Sequence, residues 1–518
     1  MDTTAAPDTE NARLGLLLTL MCVALALVVG SISGVTLALP SIATAIGATQ
    51  LELSYVVNLY ALVFAGLLLP LGFAADRFSR KSFLLAGLVV FGLANVVGAF
   101  VEDPVVLIAL RGLAGVGAAV VMPATLSVLV DSFPPERRSF AISIWAGVSG
   151  AGALAGLVLA GALLEYFWWG SFLVVSGLIA FAVAAASAPV VNDSRNRELH
   201  LDPVGGLLAF LGLSGFVLGV IEGPERGWTS PVTLTALIAG VVLLFAFVAF
   251  ESRQREPMLD VALFRRRGLQ AGAAVVFLQF LAAYVLFFLL PQFLQYVGDY
   301  SPLGAALRLL PMAIGIGPAS AFGPQLHERF GARAVATTGM LVMAGSYLSF
   351  AVVGDGGYLG IALALVVFGL GFGLSVTPGT ELIIAGLPAD RRTLSAAVND
   401  VTREVGGALG GALAASVLLG VYSSRLSTDG LPAEVANRAE ESPGAALAIA
   451  EQSGSAGAAL AESARDSFTA AYEAGHLLGA GILLLGAALA FWLAPRGVGV
   501  EDGDARQPEH EATQGAVS

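Results

Sequence analysis

Three ionisable side chains, Asp400, Arg403 and Glu404, stand inside the apolar stretch 392–422. On a helix the two acids are i and i+4, hence on one face, and Arg403 follows Asp400 by three positions and can partly neutralise it. A charge at mid-membrane depth costs roughly 2.5–3.5 kcal/mol on insertion scales, so it is kept for function or for pairing. Carboxyl groups held away from water can take up and release H⁺ near neutral pH, which makes this cluster a candidate proton site. A structural Asp–Arg–Glu cluster near a membrane boundary is the competing reading, evenly matched for Glu404 and weaker for Asp400. Arg111, about two turns into the stretch 104–130, either responds to protonation elsewhere or snorkels outward. Glu381, shortly after Pro378, reads as a boundary charge. Other chemistry finds no support: the single Cys22 excludes a disulfide framework or a cysteine-based zinc site. His200, His327, His476 and His510 are scattered, so no metal centre is expected. There is no phosphate-cradling Gly-Lys loop, no nucleophile paired with a base, and no basic stripe for nucleic acid. Neither an enzyme nor a cofactor-binding protein is expected.

The elements that must position these groups follow from composition. Of 518 residues, 57% are hydrophobic and 12% charged, against about 25% charged in ordinary soluble domains. The net charge of −12 is spread over loops and an acidic C-terminal tail. Most of the chain must be solvated by lipid. It reads as fourteen apolar segments, from 14–39 to 471–494, each long enough to cross about 30 Å of hydrocarbon as a helix. The runs are continuous, which favours helices over barrel strands. Ala24-Leu25-Ala26 imitates a signal-peptide cleavage site, but the run continues to Leu39 and the preceding segment holds three acids and only Arg13, so an uncleaved first span is expected.

With a cytoplasmic N-terminus, nineteen Lys and Arg fall on the inner side, five on the outer, and Arg111 and Arg403 within spans. The positive-inside rule therefore predicts both termini in the cytoplasm of a cell membrane. Pro134-Pro135-Glu136-Arg137-Arg138-Ser139 returns as Pro388-Ala389-Asp390-Arg391-Arg392-Thr393. Asp76-Arg77-Phe78-Ser79-Arg80 has a weaker echo in Glu328-Arg329-Phe330-Gly331-Ala332. Spans 1–6 thus pair with spans 9–14, the internal duplication of transporters that rock about a midplane site. The expected fold is all-α integral membrane, two pseudo-symmetric six-helix bundles plus two inserted helices. Its parts are a cytoplasmic N-terminus (1–13), an N-terminal bundle (14–189), and a linker carrying helices 7 and 8 (190–267). A C-terminal bundle (268–494) follows, with an external loop at 423–470 in which Ser442-Pro443 marks a helix start, and then a disordered cytoplasmic tail (495–518).

The loop Gly72-Phe73-Ala74-Ala75-Asp76-Arg77-Phe78-Ser79-Arg80-Lys81 combines a small residue for close helix approach, an acid before a helix start and a run of cations. It resembles the signature loop of the major facilitator superfamily, with Ser79 in place of its second glycine. Arg111 to Gly117 (RGLAGVG), Gly161 to Trp168, Glu222 to Trp228 and Asn399 to Gly407 are similar to motifs of the fourteen-span drug:proton antiporters of the EmrB/QacA type. The resemblance runs from about Leu14 to Trp492. It implies a major facilitator fold, a gate-latch role for Gly72, Asp76, Arg77 and Arg80, coupling through Arg111, Asp400, Arg403 and Glu404, and proton-driven export of lipophilic small molecules. The span-5 signature keeps Gly152, Gly156 and Gly161 for helix packing, but Leu157 replaces its proline. Ser31, Asn58 and Ala114 replace an acid, an acid and a glutamine of some relatives, which favours neutral or zwitterionic cargo. Ser31, Asn58, Tyr60, Trp145, Gln279, Tyr284 and Gln292 are candidate cavity residues; alternatively each satisfies a neighbouring helix. The reading is a monomeric multidrug or antibiotic exporter with small-molecule cargo, protons and the bilayer as partners. A dedicated exporter of a metabolite, lipid or self-made antibiotic is the alternative within transport, and a non-transporting receptor or scaffold the alternative outside it.

Overall fold

A computed structural model describes residues 7–195, 202–254, 257, 261–352, 357–386, 393–428, 431–453 and 457–495. They form helices α1 (Pro7–Ile46), α2 (Gln50–Phe78), α3 (Arg80–Gly98), α4 (Pro104–Ser132), α5 (Pro135–Tyr166) and α6 (Ser171–Val190). A hairpin follows, α7 (Pro203–Arg226) and α8 (Pro231–Glu251). Then come α9 (Arg267–Tyr296), α10 (Pro302–Arg308), α11 (Pro311–Val352), α12 (Tyr358–Gly386), α13 (Thr393–Arg425), α14 (Ala433–Glu441), α15 (Pro443–Gln452) and α16 (Ala458–Leu493). There is no strand among the described residues. Thirteen segments of these are long and apolar enough to span a membrane, and α5, with the shorter apolar stretch Ala151–Tyr166, completes fourteen.

Local sequence sets the helix ends. Thr49 and Glu52 make a reciprocal capping box at α2, and Asp103, Asp202, Ser230 and Ser301 cap helices that open with proline. Ser442 caps α15 as expected, accepting from Ala445 N at 3.1 Å. Two irregularities fall inside the second half's helices, and one boundary, that of the external loop, differs from the sequence-based expectation. The span Pro302–Gly323 contains a turn at Leu309–Leu310, just before α11 starts at Pro311. Proline has no N–H to continue a helix and pushes the preceding residue out of the helical region. α11 then carries two spans joined at Gly331, whose φ of 79° and ψ of 156° suit glycine alone. The external loop is shorter than 423–470, since α13 runs to Arg425 and α16 begins at Ala458. Ala, Glu and Arg in that stretch are strong helix formers that extend α16 beyond its apolar part. The repeated loop at 388–392 and the tail from 496 onward lie outside the described residues.

α1 packs on α5, α2 and α3 on α4, and α3 on α6; in the second half α9 packs on α13, α11 on α12, and α11 on α16. The first set maps onto the second through the duplication. The halves meet where α2 lies along α13 and where α5 meets α10, two contacts that exchange under that same pairing, and along α1 and α9. The inserted hairpin lays α7 over both α2 and α13, so it roofs one side of the seam.

Candidate functional site

The polar cluster of the first half is built on Arg111, which is 2% exposed. Its Nε donates to Val56 O at 3.2 Å and Nη1 to Ser31 Oγ at 3.0 Å. The guanidinium lies 4.3 Å from the centroid of Tyr60, a desolvated cation–π contact. Tyr60 in turn donates to Val28 O at 2.9 Å. Arg111 therefore binds α1 and α2 together from α4 and does not snorkel. Its Nη2 is buried without a partner.

The cluster of the second half lies on α13. Arg403 Nε donates to Glu404 Oε1 at 3.2 Å, while its Nη2 stands 3.7 Å from Asp400 Oδ1. The arginine thus holds Glu404 more closely than its expected partner, Asp400. Their side chains are 15%, 5% and 13% exposed for Arg403, Glu404 and Asp400, so all three turn away from lipid. Arg403 Nη2 also lies 3.8 Å from Met122 Sδ of α4, across the seam, and its guanidinium sits 5.6 Å from the ring of Phe280. Glu404 Oε2 is buried with no hydrogen-bond partner. Two tyrosines stand near both clusters: Tyr60 near Arg111 and Glu404, and Tyr284 near Glu404, Arg403 and Tyr60. Glycines make this possible. A Cβ on Gly407 would stand 2.8 Å from the ring of Tyr284, and Asn58 Oδ1 rests against Gly411.

The other candidates divide. Ser31, Asn58, Tyr60 and Tyr284 gather between the clusters. Trp145 instead donates to Thr125 Oγ1 at 3.0 Å, and Gln279 donates to Phe372 O at 3.1 Å and accepts from Ser375 Oγ at 3.0 Å. Each satisfies a neighbouring helix of its own half. Gln292 donates to Phe288 O of its own helix at 2.7 Å and leaves Oε1 unpartnered. Gly152 and Gly156 seat α5 on α1 at Gly30, whereas Gly161 meets α10 of the other half: a Cβ there would lie 3.1 Å from Leu303 Cα. Leu157 fills core at 1% exposure.

The loop after α2 is cross-linked within its own half. Arg80 Nε pairs with Asp76 Oδ1 at 2.5 Å and Nη1 pairs with Asp131 at the end of α4. Ser194 Oγ donates to the same Asp131 oxygen at 2.7 Å, and Ser79 Oγ donates to Asp193 at 2.6 Å. Gly72 lets Pro123 approach to 3.3 Å of its notional Cβ, and Arg77 lies 6.0 Å from the ring of Phe78. Asp131 escaped sequence reasoning. Its signal was an acid in the last turn of a helix, where the macrodipole disfavours it and a cation must answer. Glu381 is paired with His327 across α11 and α12. Glu222 accepts from Tyr55 of α2 and pairs with Arg226, tying the hairpin to the first half.

Two duplicated helical halves, buried charges facing one seam and a cross-braced loop define a multi-pass membrane protein of the alternating-access transporter class. The chain matches the Major Facilitator Superfamily over residues 20–411 and belongs to it. It is 30% identical over 466 residues to the methyl viologen resistance protein SmvA of Salmonella typhimurium, covering 88% of this chain and 93% of that one. It is 34% identical over 429 residues to the cephamycin export protein CmcT of Amycolatopsis lactamdurans, covering 81% and 87%. Among solved structures, a bacterial homolog of the human lysosomal transporter Spinster in an inward-facing, unoccupied conformation superposes with a TM-score of 0.62 at 16% identity, covering 94% and 98%.

Proposed function

We propose that this protein exports lipophilic or amphipathic small molecules across the cell membrane by alternating access, driven by H⁺ moving the other way. The observation that carries the reading is the acid–arginine triad of Asp400, Arg403 and Glu404, held at the seam with one Glu404 oxygen free. Binding of H⁺ to Glu404 or Asp400 weakens its hold on Arg403, whose guanidinium also touches the opposite half at Met122. Loading and unloading the triad therefore changes what the seam between the halves can grip. Arg111, through Tyr60, carries the change to α1 and α2. Both termini face the cytoplasm, the chain acts as a monomer, and the proton gradient replaces any cofactor. Asn58 of α2 touches Gly411 of α13, α5 meets α10 at Gly161, and Gln295 Nε2 donates to Leu37 O at 3.0 Å. These contacts between the halves run from mid-depth to the helix ends away from the chain termini, as in a carrier shut on its outer side.

Similarity to a methyl viologen resistance protein and to a cephamycin export protein supports efflux of toxic or antibiotic small molecules. The neutral Ser31 and Asn58 favour uncharged or zwitterionic cargo over cations. Purified protein in liposomes, given an imposed pH gradient and a panel of charged and neutral dyes, tests the reading. Gradient-driven dye movement is expected, and equal movement without the gradient removes the coupling. Similarity to a cephamycin export protein favours, as a second reading, a single endogenous compound; metabolite profiles of cells with and without the protein separate the two.

A further inference from the structure

A cavity of about 500 Å³ lies between α2, α7, α8, α9 and α13, and all fifteen residues lining it are apolar. Its size falls within the roughly 300–1,000 Å³ of ordinary ligand pockets. Small residues make its floor: Ala65, Gly66 and Pro70 of α2 and Ala209 of α7. One wall is α8, where Phe245, Val248 and Val241 are 72%, 46% and 37% exposed, so the cavity opens sideways onto the bilayer. The opposite wall is Val401, Val405 and Leu409 of α13, on the other side of that helix from the charged triad.

An apolar space of this kind does not hold water, because water needs two to four polar partners. Left empty, its walls forfeit the dispersion contacts of every missing neighbour. Depth identifies the occupant. At 1.5 Å per helical residue, Val248 and Val241 lie ~7 and ~18 Å from Arg253 along the α8 direction, and Phe277 lies ~15 Å along α9 from Arg267. That range is the acyl region of the leaflet on the side of the chain termini, whose share of the hydrocarbon core is ~15 Å. Arg253, Arg265 and Arg267 are exposed at that end, where a lipid phosphate would sit.

We infer that this cavity is a binding site for one acyl tail of a phospholipid from the terminus-side leaflet, with an anionic headgroup preferred at Arg253. The site uses no part of the triad and stands apart from proton coupling. Because α2 and α13 belong to different halves, a tail lodged there fills the side of the seam that the inserted hairpin roofs.

The test uses full-length protein in vesicles containing phosphatidylglycerol or phosphatidylcholine with a diazirine in the acyl chain. After irradiation, cross-linked peptides are mapped by mass spectrometry. Labelling concentrated on Phe245–Val248 and Val401–Leu409, stronger for phosphatidylglycerol, is expected. Ala209→Phe, which fills the cavity, should cut labelling there at least fivefold, whereas Leu484→Phe, on an exposed face of α16, should not. Should the Ala209 variant fail to fold, the wild-type map decides alone. Labelling spread evenly over all outward-facing helices overturns the site. Stoichiometric displacement by a transported lipophilic dye also overturns it, since the cavity would then belong to cargo. Equal labelling by the two headgroups, or no loss of phosphatidylglycerol preference in Arg253→Gln, overturns the headgroup assignment.

Discussion

Two glycines five residues apart on α5 should respond in opposite ways to the same substitution. At Gly161 a Cβ would stand 2.9 Å from Ala306 Cβ, 3.1 Å from Leu303 Cα and 3.1 Å from Pro302 O, all in the second half. Two of those are backbone atoms that cannot swing aside. Valine there overpacks the contact between the halves, which costs about 1–3 kcal/mol. The cost falls only on the conformation in which α5 meets α10. A value of about 2 kcal/mol multiplies the open population ~30-fold. At Gly156 a Cβ would stand 2.7 Å from Gly30 C in the same half, so valine there strains every conformation alike. The assay is maleimide labelling of Ala305→Cys, a position that is fully buried on α10 beside the seam, in a chain whose own Cys22 is also buried. Gly161→Val should raise the labelling rate by an order of magnitude and cost no more than about 2 kcal/mol of stability, since the open conformation escapes the strain. Gly156→Val should lower the melting temperature and leave the rate within about threefold of its parent. Equal rates for a well-folded Gly161→Val would show that the α5–α10 contact does not close the carrier, and the reasoning would fail.

Glu404→Gln and Asp400→Asn should each abolish gradient-driven efflux while leaving dye binding intact; full transport by both at neutral pH would discard the triad as the coupling site. Arg80→Gln leaves Asp76 and Asp131 without their shared cation. Because these groups are partly exposed, stability should change by no more than about 1 kcal/mol, while transport rate falls severalfold; an unchanged rate would remove the loop from the mechanism. Tyr55→Phe deletes the bond to Glu222, a hydrogen bond to a charged acceptor worth about 1.5–3 kcal/mol, and should raise hydrogen exchange in α7 selectively. Trp145→Phe should cost stability through the lost bond to Thr125 and shift dye Kd less than twofold, since that side chain is committed to its own half.

The apolar runs, their number and the duplication were legible because lipid imposes a length and a composition on every span, and no tertiary contact is needed to satisfy the backbone. The i, i+4 placement of Asp400 and Glu404 was legible for the same reason: helical periodicity is local. Caps such as Thr49 and Ser442 are likewise written in neighbouring residues. Pro311 and Gly331 also act locally, one following a turn and the other forming a kink inside α11. The sequence could not say whether Arg111 snorkels or turns inward, since that depends on Ser31, Val56 and Tyr60 arriving from other helices. Nor could it separate Gly156 from Gly161, identical in type and helix, one against its own half and one against the other. Polar residues such as Trp145 and Asn58 look alike along the chain, yet one is spent on Thr125 and the other lies against α13. Length and hydropathy act within one segment and are fixed by composition; which groups share the seam is a property of how segments far apart in the chain pack together, and only the tertiary structure decides it.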